Sequence, residues 1–587
     1  CLFGGIVRDV SMTITDPVYV ERTFVTTPGL ESGNGVVKTQ VDIKNTLTED
    51  KTYTVETTVK DKDGNTVKTA SVEKQLAAGK ETTVEVETEK ITNPHLWDID
   101  DPYLYTLVTT VKDGDTVIDT YDTTFGMRYF EFKSNSDTDR SFYLNGKKVV
   151  VVGVNRHEQW PWVGRAVPDK LQEQDADLIK ETGFNAVRCS HYPQDPSFMK
   201  RCDEIGLLVF TEPPGWQHIG NAEWQENFKT NLKELILRDR NHPSVISWGV
   251  TPNESEAYTA DIQAFNQECN RIAKELDPTR PTHGVRWEFF FDNHTENGKL
   301  QHIATDLLTA NYRYPGFKNN KDEDLLSRFE NAYLVTEHSN ECWFNGGGVP
   351  GTTDELALQF VDSFMKYVDY FYEKDTIAGG FGWSMFDYNN EVNYTNTNHV
   401  FYSGVYDIFR HEKPLAWAYR TQQDVEDAGE MVYIANSETG NQSTTTNTVY
   451  VFSNCEEVEL FAGGVSQGKI KPNKYMSLPH PIFEFTNVNY AGKELKAVAY
   501  IGGKAVKEDV QAVTGEAVKL VVEPDYDTLT ADGTDMTSVS VTAVDANGNK
   551  VPFAKNKINV TQKSGTETTL ISEKDVALEG GQSAFLV

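Results

Sequence analysis

SVISWGVTPNES, residues 244–255, passes from a short apolar run into a polar end. Val245, Ile246 and Trp248 are too few for a helix and have the continuous apolar form of a strand buried on both faces. Seven other runs repeat the pattern: VVVVGVN (149–155), AVRCSHY (186–192), LLVFTEP (207–213), THGVRW (282–287), LLTANYRY (307–314), YLVTEH (333–338) and AGGFGWSMF (378–386). Helical stretches lie between them. DKLQEQDADLIKETG sets Leu171, Leu178 and Ile179 on one side, and NFKTNLKELILRDRNHP is closed by Pro243. Eight such strand and helix units over residues 129–425 predict a TIM (β/α)8 barrel, whose working residues gather at the C-terminal ends of the strands.

Before and after this region the hydrophobic period changes to two. Tyr53, Val55, Thr57 and Val59 alternate with Thr54, Glu56, Thr58 and Lys60, and DKDGN (61–65) and KDGD (112–115) carry the Asp-Gly chemistry of tight hairpins. Residues 1–128 are expected to form an immunoglobulin-like β-sandwich. Beyond the barrel, TVYVFSNCEEVELFAGG and KAVAYIGGKAV place a β-sandwich at 430–514. KLVVEPDYDTLTADGTDMTSVSVTAVDANGNKVPF opens a further immunoglobulin-like sandwich at 515–587, its completeness left open. ETGNQSTTTN (438–447) reads as a polar loop or linker. The fold class is thus a multidomain chain with a central barrel flanked by sandwiches, as 587 residues are too many for one core.

The formal net charge of −33 repels phosphate backbones and anionic membranes, and no basic patch offsets it, so nucleic acid is not an expected partner. Six cysteines (Cys1, Cys189, Cys202, Cys269, Cys342, Cys455) show neither disulfide nor zinc spacing and read as free thiols. No apolar run is long enough to span a membrane, and residues 1–20 lack the pattern of a signal peptide. An extracellular or cell-surface place on a bacterium is the expectation, with the cytoplasm as the alternative; the oligomeric state is not written in the sequence.

The strand ends carry Asn155, Arg156, His157 and Glu158; Arg188 and His191; Glu212; Asn253 and Glu254; Trp287; Tyr312; Glu337 and His338; and Trp383. Two carboxylates at separate strand ends, Glu254 and Glu337, suit glycoside hydrolysis, in which one group protonates the leaving oxygen and the other attacks, or activates water on, the opposite face of the sugar. Hydrogen-bonding groups for hydroxyls and an aromatic face for the sugar ring complete such a site. Taken singly, His157 and His191 fit ordinary buried histidines, Trp383 fits barrel filling, and Arg188 fits a counter-ion. An arginine beside Glu337 would also keep a nucleophile ionised, Tyr312 could donate to it, and an acid at Glu254 needs a raised pKa.

At GVNRHE (153–158), NAVRCSHYP (185–193), RDRNHPSVISWG (238–249), NES (253–255), TEH (336–338) and GGFGW (379–383) the sequence resembles glycoside hydrolase family 2, which holds β-galactosidases, β-glucuronidases and β-mannosidases. GIVRDV near the start resembles the opening of that family's second domain, and the likeness covers roughly residues 5–425. The resemblance implies Glu254 as general acid/base, Glu337 as nucleophile and Asn253 as partner of the sugar 2-hydroxyl. It puts His157, Arg188, His191, Tyr312 and Trp383 on substrate-binding positions.

Three departures qualify it. Trp248 to Asn253 holds one residue more than the family's usual spacing, so the loop must bulge to present Glu254. Some β-galactosidases place a magnesium ligand pair, a glutamate and a histidine two apart, after the third strand; here Pro213 and Pro214 follow Glu212, so no cofactor is expected and magnesium is doubted. Family members begin with a jelly-roll domain, and this chain is expected to be a fragment lacking it. The carboxylate-binding Asn-x-Lys of β-glucuronidases has no counterpart in GVYDIFRHEKPLAW, which favours a neutral sugar, galactose first. The expected activity is a retaining exo-β-glycosidase acting on terminal β-galactosides. The alternatives are a β-glucuronidase or another β-glycosidase of the family and, in a different class, a non-catalytic carbohydrate-binding protein.

Overall fold

The computed structural model describes residues 5–134, 139–255, 260–285, 295–296, 299–300, 305–312, 331–339, 346–390, 399–563 and 568–587. Trp287, Cys1, Cys342 and the ends of the runs 282–287 and 307–314 lie outside them.

All eight expected runs contain strands of one parallel sheet: β1 (Val151–Arg156), β2 (Ala186–Cys189), β3 (Leu208–Thr211), β4 (Val245–Gly249), β5 (Thr282–His283), β6 (Leu308–Asn311), β7 (Tyr333–His338) and β8 (Gly379–Gly382). Their order is β5-β4-β3-β2-β1-β8-β7-β6. The ring is drawn together between β5 and β6, where the Leu307 N–H donates to the Thr282 carbonyl at 2.9 Å and Thr309 Oγ1 to the Gly284 carbonyl at 2.8 Å. The helices α1 (Asp169–Glu181), α2 (Pro196–Ile205), α3 (Ala222–Asp239), α4 (Ala260–Leu276) and α5 (Asp354–Glu373) belong to the connections between strands.

Period-two alternation decides which side chains enter the barrel. Val151, Ala186, Leu208, Phe210, Ile246, Leu334 and Phe381 fill its lower interior, while Val152, Val154, Val187, Cys189, Val209, Val245 and Trp248 pack outward with the helices. A methyl group on Gly153 would lie 2.3 Å from the Phe381 ring, so only glycine fits there. With the lower half packed by apolar groups, polar side chains on the same inward faces collect above it.

The N-terminal region is a sandwich of a three-stranded sheet (Val18–Thr26, Lys38–Asn45, Glu81–Glu87) and a four-stranded one (Lys51–Lys60, Thr66–Leu76, Tyr105–Asp113, Thr116–Phe125). Tyr53, Val55, Thr57 and Val59 are its buried positions, as their alternation predicts. It docks at the N-terminal ends of the barrel strands: Trp97 Nε1 donates to the Asp203 carbonyl at 2.8 Å and Arg128 Nη2 to that of Val245 at 2.7 Å. After the barrel, a three-stranded and a four-stranded sheet between Val432 and Gln511 share one apolar core. A last three-stranded sheet joins Lys519–Pro524, Ser538–Val544 and Gln582–Leu586.

The segment 438–447 is more than a polar linker. Asp354, at the start of α5, accepts from the N–H groups of Ser437 (2.8 Å) and Glu438 (3.1 Å), while Glu438 Oε2 accepts from the Thr445 N–H at 2.8 Å. The last sheet reaches the opposite end of the barrel from the N-terminal sandwich. Trp160 and Val167, in the loop after β1, and Leu171 pack with Leu586, Tyr526 and Met536. Cys189, Cys202, Cys269 and Cys455 are buried free thiols. Among the described residues no helix is long and apolar enough to cross a membrane.

Candidate active site

The upper interior of the barrel brings together the eight residues that the family resemblance implies for the site: His157, Arg188, His191, Asn253, Glu254, Tyr312, Glu337 and Trp383. Arg188, at the end of β2, is fully buried and forms the hub. Its Nη1 donates to Glu337 Oε1 at 2.8 Å and to Asn155 Oδ1 at 3.0 Å; its Nη2 donates to both oxygens of Glu212 (2.9 and 3.0 Å) and to Asn253 Oδ1 at 2.9 Å. His191 Nδ1 donates to Glu212 Oε1 at 2.7 Å, and its ring stacks on Trp383 with centroids 5.4 Å apart. Its Nε2 lies 3.8 Å from Glu337 Oε1. His157 sits across from this pair, with Tyr388 at 4.5 Å and Trp383 at 5.3 Å between ring centroids, and its Nδ1 lies 3.1 Å from the Tyr192 hydroxyl.

Glu337 is presented by an irregularity in β7. The register shifts between Val335 and His338 against β8, and between Ala310 and Asn311 on the β6 side. A bulge of this kind re-aims side chains, so that Thr336 bonds Asn311 Oδ1 inside the barrel at 2.8 Å while the next residue, Glu337, also reaches the interior. The Tyr312 hydroxyl donates to Glu337 Oε2. Burial pushes the Glu337 carboxyl up; Arg188 pulls it down without cancelling that, and the charge of Glu254 adds to the rise. The arginine is therefore where the sequence put it, but the net shift is upward, because a fully buried carboxylate costs more than one shared cation returns.

Glu254 is held differently. It lies in the loop beyond β4 with φ +55°, and its neighbour Asn253 forms a bridge to Trp216 in the loop after β3. The Gln217 N–H donates to the Asn253 carbonyl at 2.7 Å, and the Asn253 N–H to the Gly215 carbonyl at 3.0 Å. The two loops are zipped together. Trp216 Nε1 (3.1 Å) and Gln217 Nε2 (2.9 Å) both donate to Glu254 Oε2, and Asn311 Nδ2 donates to Oε1 at 2.9 Å. No Lys or Arg side chain pairs with Glu254 among the described residues.

Burial opposes ionisation of Glu212, but Arg188, with the hydrogen bond from His191, outweighs it and holds the carboxyl well below its usual range. Glu212 thus neutralises the hub from below. Burial, helped by the neighbouring basic groups His191, Arg165 and Arg188, pushes His157 well below the ordinary histidine value.

Three strand-end residues face away from the site. Arg156 bonds Asp175 on α1 at 2.7 Å and lies over the Phe198 ring; Glu158 pairs with Arg8 and Arg165, both at 2.7 Å; His338 stacks on Tyr367 of α5 at 4.7 Å. Each sits one step out of phase with an inward neighbour. Asn311, Trp216, Gln217, His283 and Tyr388 were not found from the sequence. Asn311 adjoins Tyr312 at a strand end and carried that signal, whereas Trp216 and Gln217 lie in a loop with none.

The model of the glycosyl hydrolases family 2 TIM barrel domain matches residues 137–425, and a second family 2 model matches residues 18–128. A domain family of unknown function matches 445–507, and glycoside hydrolase family 2 C-terminal domain 5 matches 520–570. A β-galactosidase of Thermoanaerobacter pseudethanolicus is 36% identical over 604 residues, which span 100% of this chain and 76% of that protein. The chain belongs to glycoside hydrolase family 2. A β-galactosidase of Thermoanaerobacterium thermosulfurigenes is 33% identical over 99% of this chain and 80% of its own length. A family 2 member from Bacteroides cellulosilyticus shares the fold, with a TM-score of 0.77 at 24% identity over 97% of this chain and 76% of that one. The family 2 chain described here is accordingly a glycoside hydrolase, with a carbohydrate as substrate and β-glycosides as its substrate class.

Proposed function

We propose that this enzyme removes terminal β-linked galactose with retention of configuration, using Glu337 as nucleophile and Glu254 as general acid/base. The observation that carries the assignment is the unequal company of the two carboxyl groups. Glu337 is bonded by the Arg188 guanidinium and the Tyr312 hydroxyl, partners that stabilise an anion, whereas Glu254 has only uncharged N–H donors.

In the first step the proton of Glu254 moves to the glycosidic oxygen as a Glu337 oxygen forms a bond to C1 and the C1–O bond to the leaving group breaks. Glu254, now a carboxylate, then takes a proton from water as that water attacks C1 and expels Glu337. Two inversions give net retention. Asn253, fixed by Arg188, is the partner for the sugar 2-hydroxyl, and His157, His191, Tyr312 and Trp383 enclose the ring.

A neutral sugar is supported by the engagement of the basic groups in GVYDIFRHEKPLAW. Arg410 pairs with Asp175 at 3.0 Å, His411 with Asp407 at 2.9 Å and Lys413 with Asp387 at 2.7 Å. The two most similar relatives named above are β-galactosidases.

A magnesium ion at Glu212 does not fit these residues. Arg188 and His191 already occupy its oxygens, Pro213 and Pro214 offer no ligand side chain, and no group of three or more candidate ligands occurs among the described residues.

Hydrolysis of nitrophenyl β-galactoside, glucuronide, mannoside, fucoside and galacturonide tests the substrate, with NMR of the first-formed anomer as the test of stereochemistry. The galactoside should be cleaved fastest and give the β-anomer first. A preferred glucuronide would overturn the sugar, and a first-formed α-anomer would overturn retention.

A further inference from the structure

The aromatic rings around the glycone side of the site are buried: Trp383 is 5% exposed and Tyr388 7%. Trp216 is 51% exposed, yet it is not loose. Its indole nitrogen is tied to Glu254 Oε2 at 3.1 Å and its backbone is bridged to Asn253. Its ring meets no other aromatic ring among the described residues. What sets this exposed ring apart from an ordinary surface aromatic is that it is fixed in orientation beside Glu254 and open to the space in front of it.

Chemistry says which part of the ligand meets that space. A general acid delivers its proton to the oxygen joining the sugar to its leaving group, so whatever lies beyond Glu254, away from Glu337, meets the leaving group. An indole bonded edge-on to the acid is beside that position. Resting on the assignment of Glu254 as the acid, we infer that Trp216 is the aglycone platform of this enzyme, selecting leaving groups with a flat apolar face: an aromatic ring or the C–H face of a second pyranose.

The arrangement gives Trp216 two separable duties. Its N–H helps to hold Glu254, a task shared with Gln217 and Asn311, while its ring face is free to stack. Gly215 lets the loop close onto its neighbour: a methyl group there would stand 3.0 Å from the Pro252 side chain. The loops after β3 and β4 therefore set the acid and the platform as one unit.

Benzyl and methyl β-galactosides separate the two duties, because benzyl alcohol and methanol need protonation alike and differ in the presence of a flat face. The readout is the ratio of kcat/KM for benzyl over methyl in wild type, Trp216→Phe and Trp216→Leu, each checked for native melting. Both variants lose the N–H and should be slower on both substrates. The ratio should stay within about twofold of wild type in Trp216→Phe, which keeps a face, and fall about tenfold in Trp216→Leu, which does not. An unchanged ratio in Trp216→Leu, or equal falls in both variants, would overturn the platform. Failure of wild type to cleave any member of the glycoside panel would instead overturn the proposed activity.

Discussion

Glu337 and Glu254 are both buried glutamates at the top of one barrel, and they are held by opposite means. Glu337 stands on a strand, aimed by a register shift and clamped by a guanidinium and a phenol. Glu254 stands on a loop in a left-handed conformation, φ +55°, and is clamped by three neutral N–H groups from two other segments. The difference supports the proposed division of roles: a cation beside Glu337 favours its anionic form, while Glu254 is positioned by neutral donors alone.

The largest break in this pairing is at Glu337. Glu337→Gln should lower turnover of every glycoside by at least about four powers of ten, and the corresponding glycine variant with azide should yield the α-glycosyl azide. A β-azide product would move the nucleophile elsewhere. Glu254→Gln should lower cleavage of a disaccharide by about 10²–10⁴ while sparing formation of the glycosyl-enzyme from an activated dinitrophenyl glycoside. Equal losses on both substrates would remove its role as acid.

Arg188→Met sharpens the electrostatic half of the comparison. Removing one partner from a buried ion pair costs about 3–5 kcal/mol, to be read from the midpoint of the barrel's urea transition. In the native protein the depressed pKa of Glu212 contributes stability that is complete above about pH 4.3 and is lost as the pH falls towards its folded value. Without Arg188, Glu212 joins Glu337 with a folded value above the unfolded one, and that contribution is complete below about pH 4.3 and lost as the pH rises. The stability gap between variant and wild type should therefore narrow from pH 7 to pH 5; a gap independent of pH would mean that Arg188 acts by packing alone. The smallest expected effect is that of chelation. Exhaustive treatment with a chelator, followed by added magnesium, should change kcat/KM by no more than about twofold, and a clear recovery on addition would restore the metal to the mechanism.

The barrel was legible because strands buried on both faces must be written as unbroken apolar runs, and LVF, VISW and YLV leave little else to read. The carboxylate pair was legible because both glutamates stand where those runs stop, at the mouth of a barrel. Phase was not. Arg156, Glu158 and His338 look in sequence like Asn155, His157 and Glu337, and only the alternation of a strand, or a shift in its register, decides which of two adjacent polar residues faces the pocket. Trp216 and Gln217 escaped for another reason: their contact with Glu254 depends on backbone bonds between two loops, which no local pattern encodes. The net upward shift of Glu337 was also out of reach, since it balances burial against a shared arginine.

The packing of Leu586, Tyr526 and Met536 against Trp160, Val167 and Leu171 has a consequence in time. At about 5–20 residues per second, a ribosome makes Leu586 roughly 20–85 s after Trp160. For that interval the loop following His157 waits with the apolar side that Leu586, Tyr526 and Met536 cover still open. Nascent chains halted before the last sheet should accordingly bind chaperones at this loop, although the barrel itself has already been made.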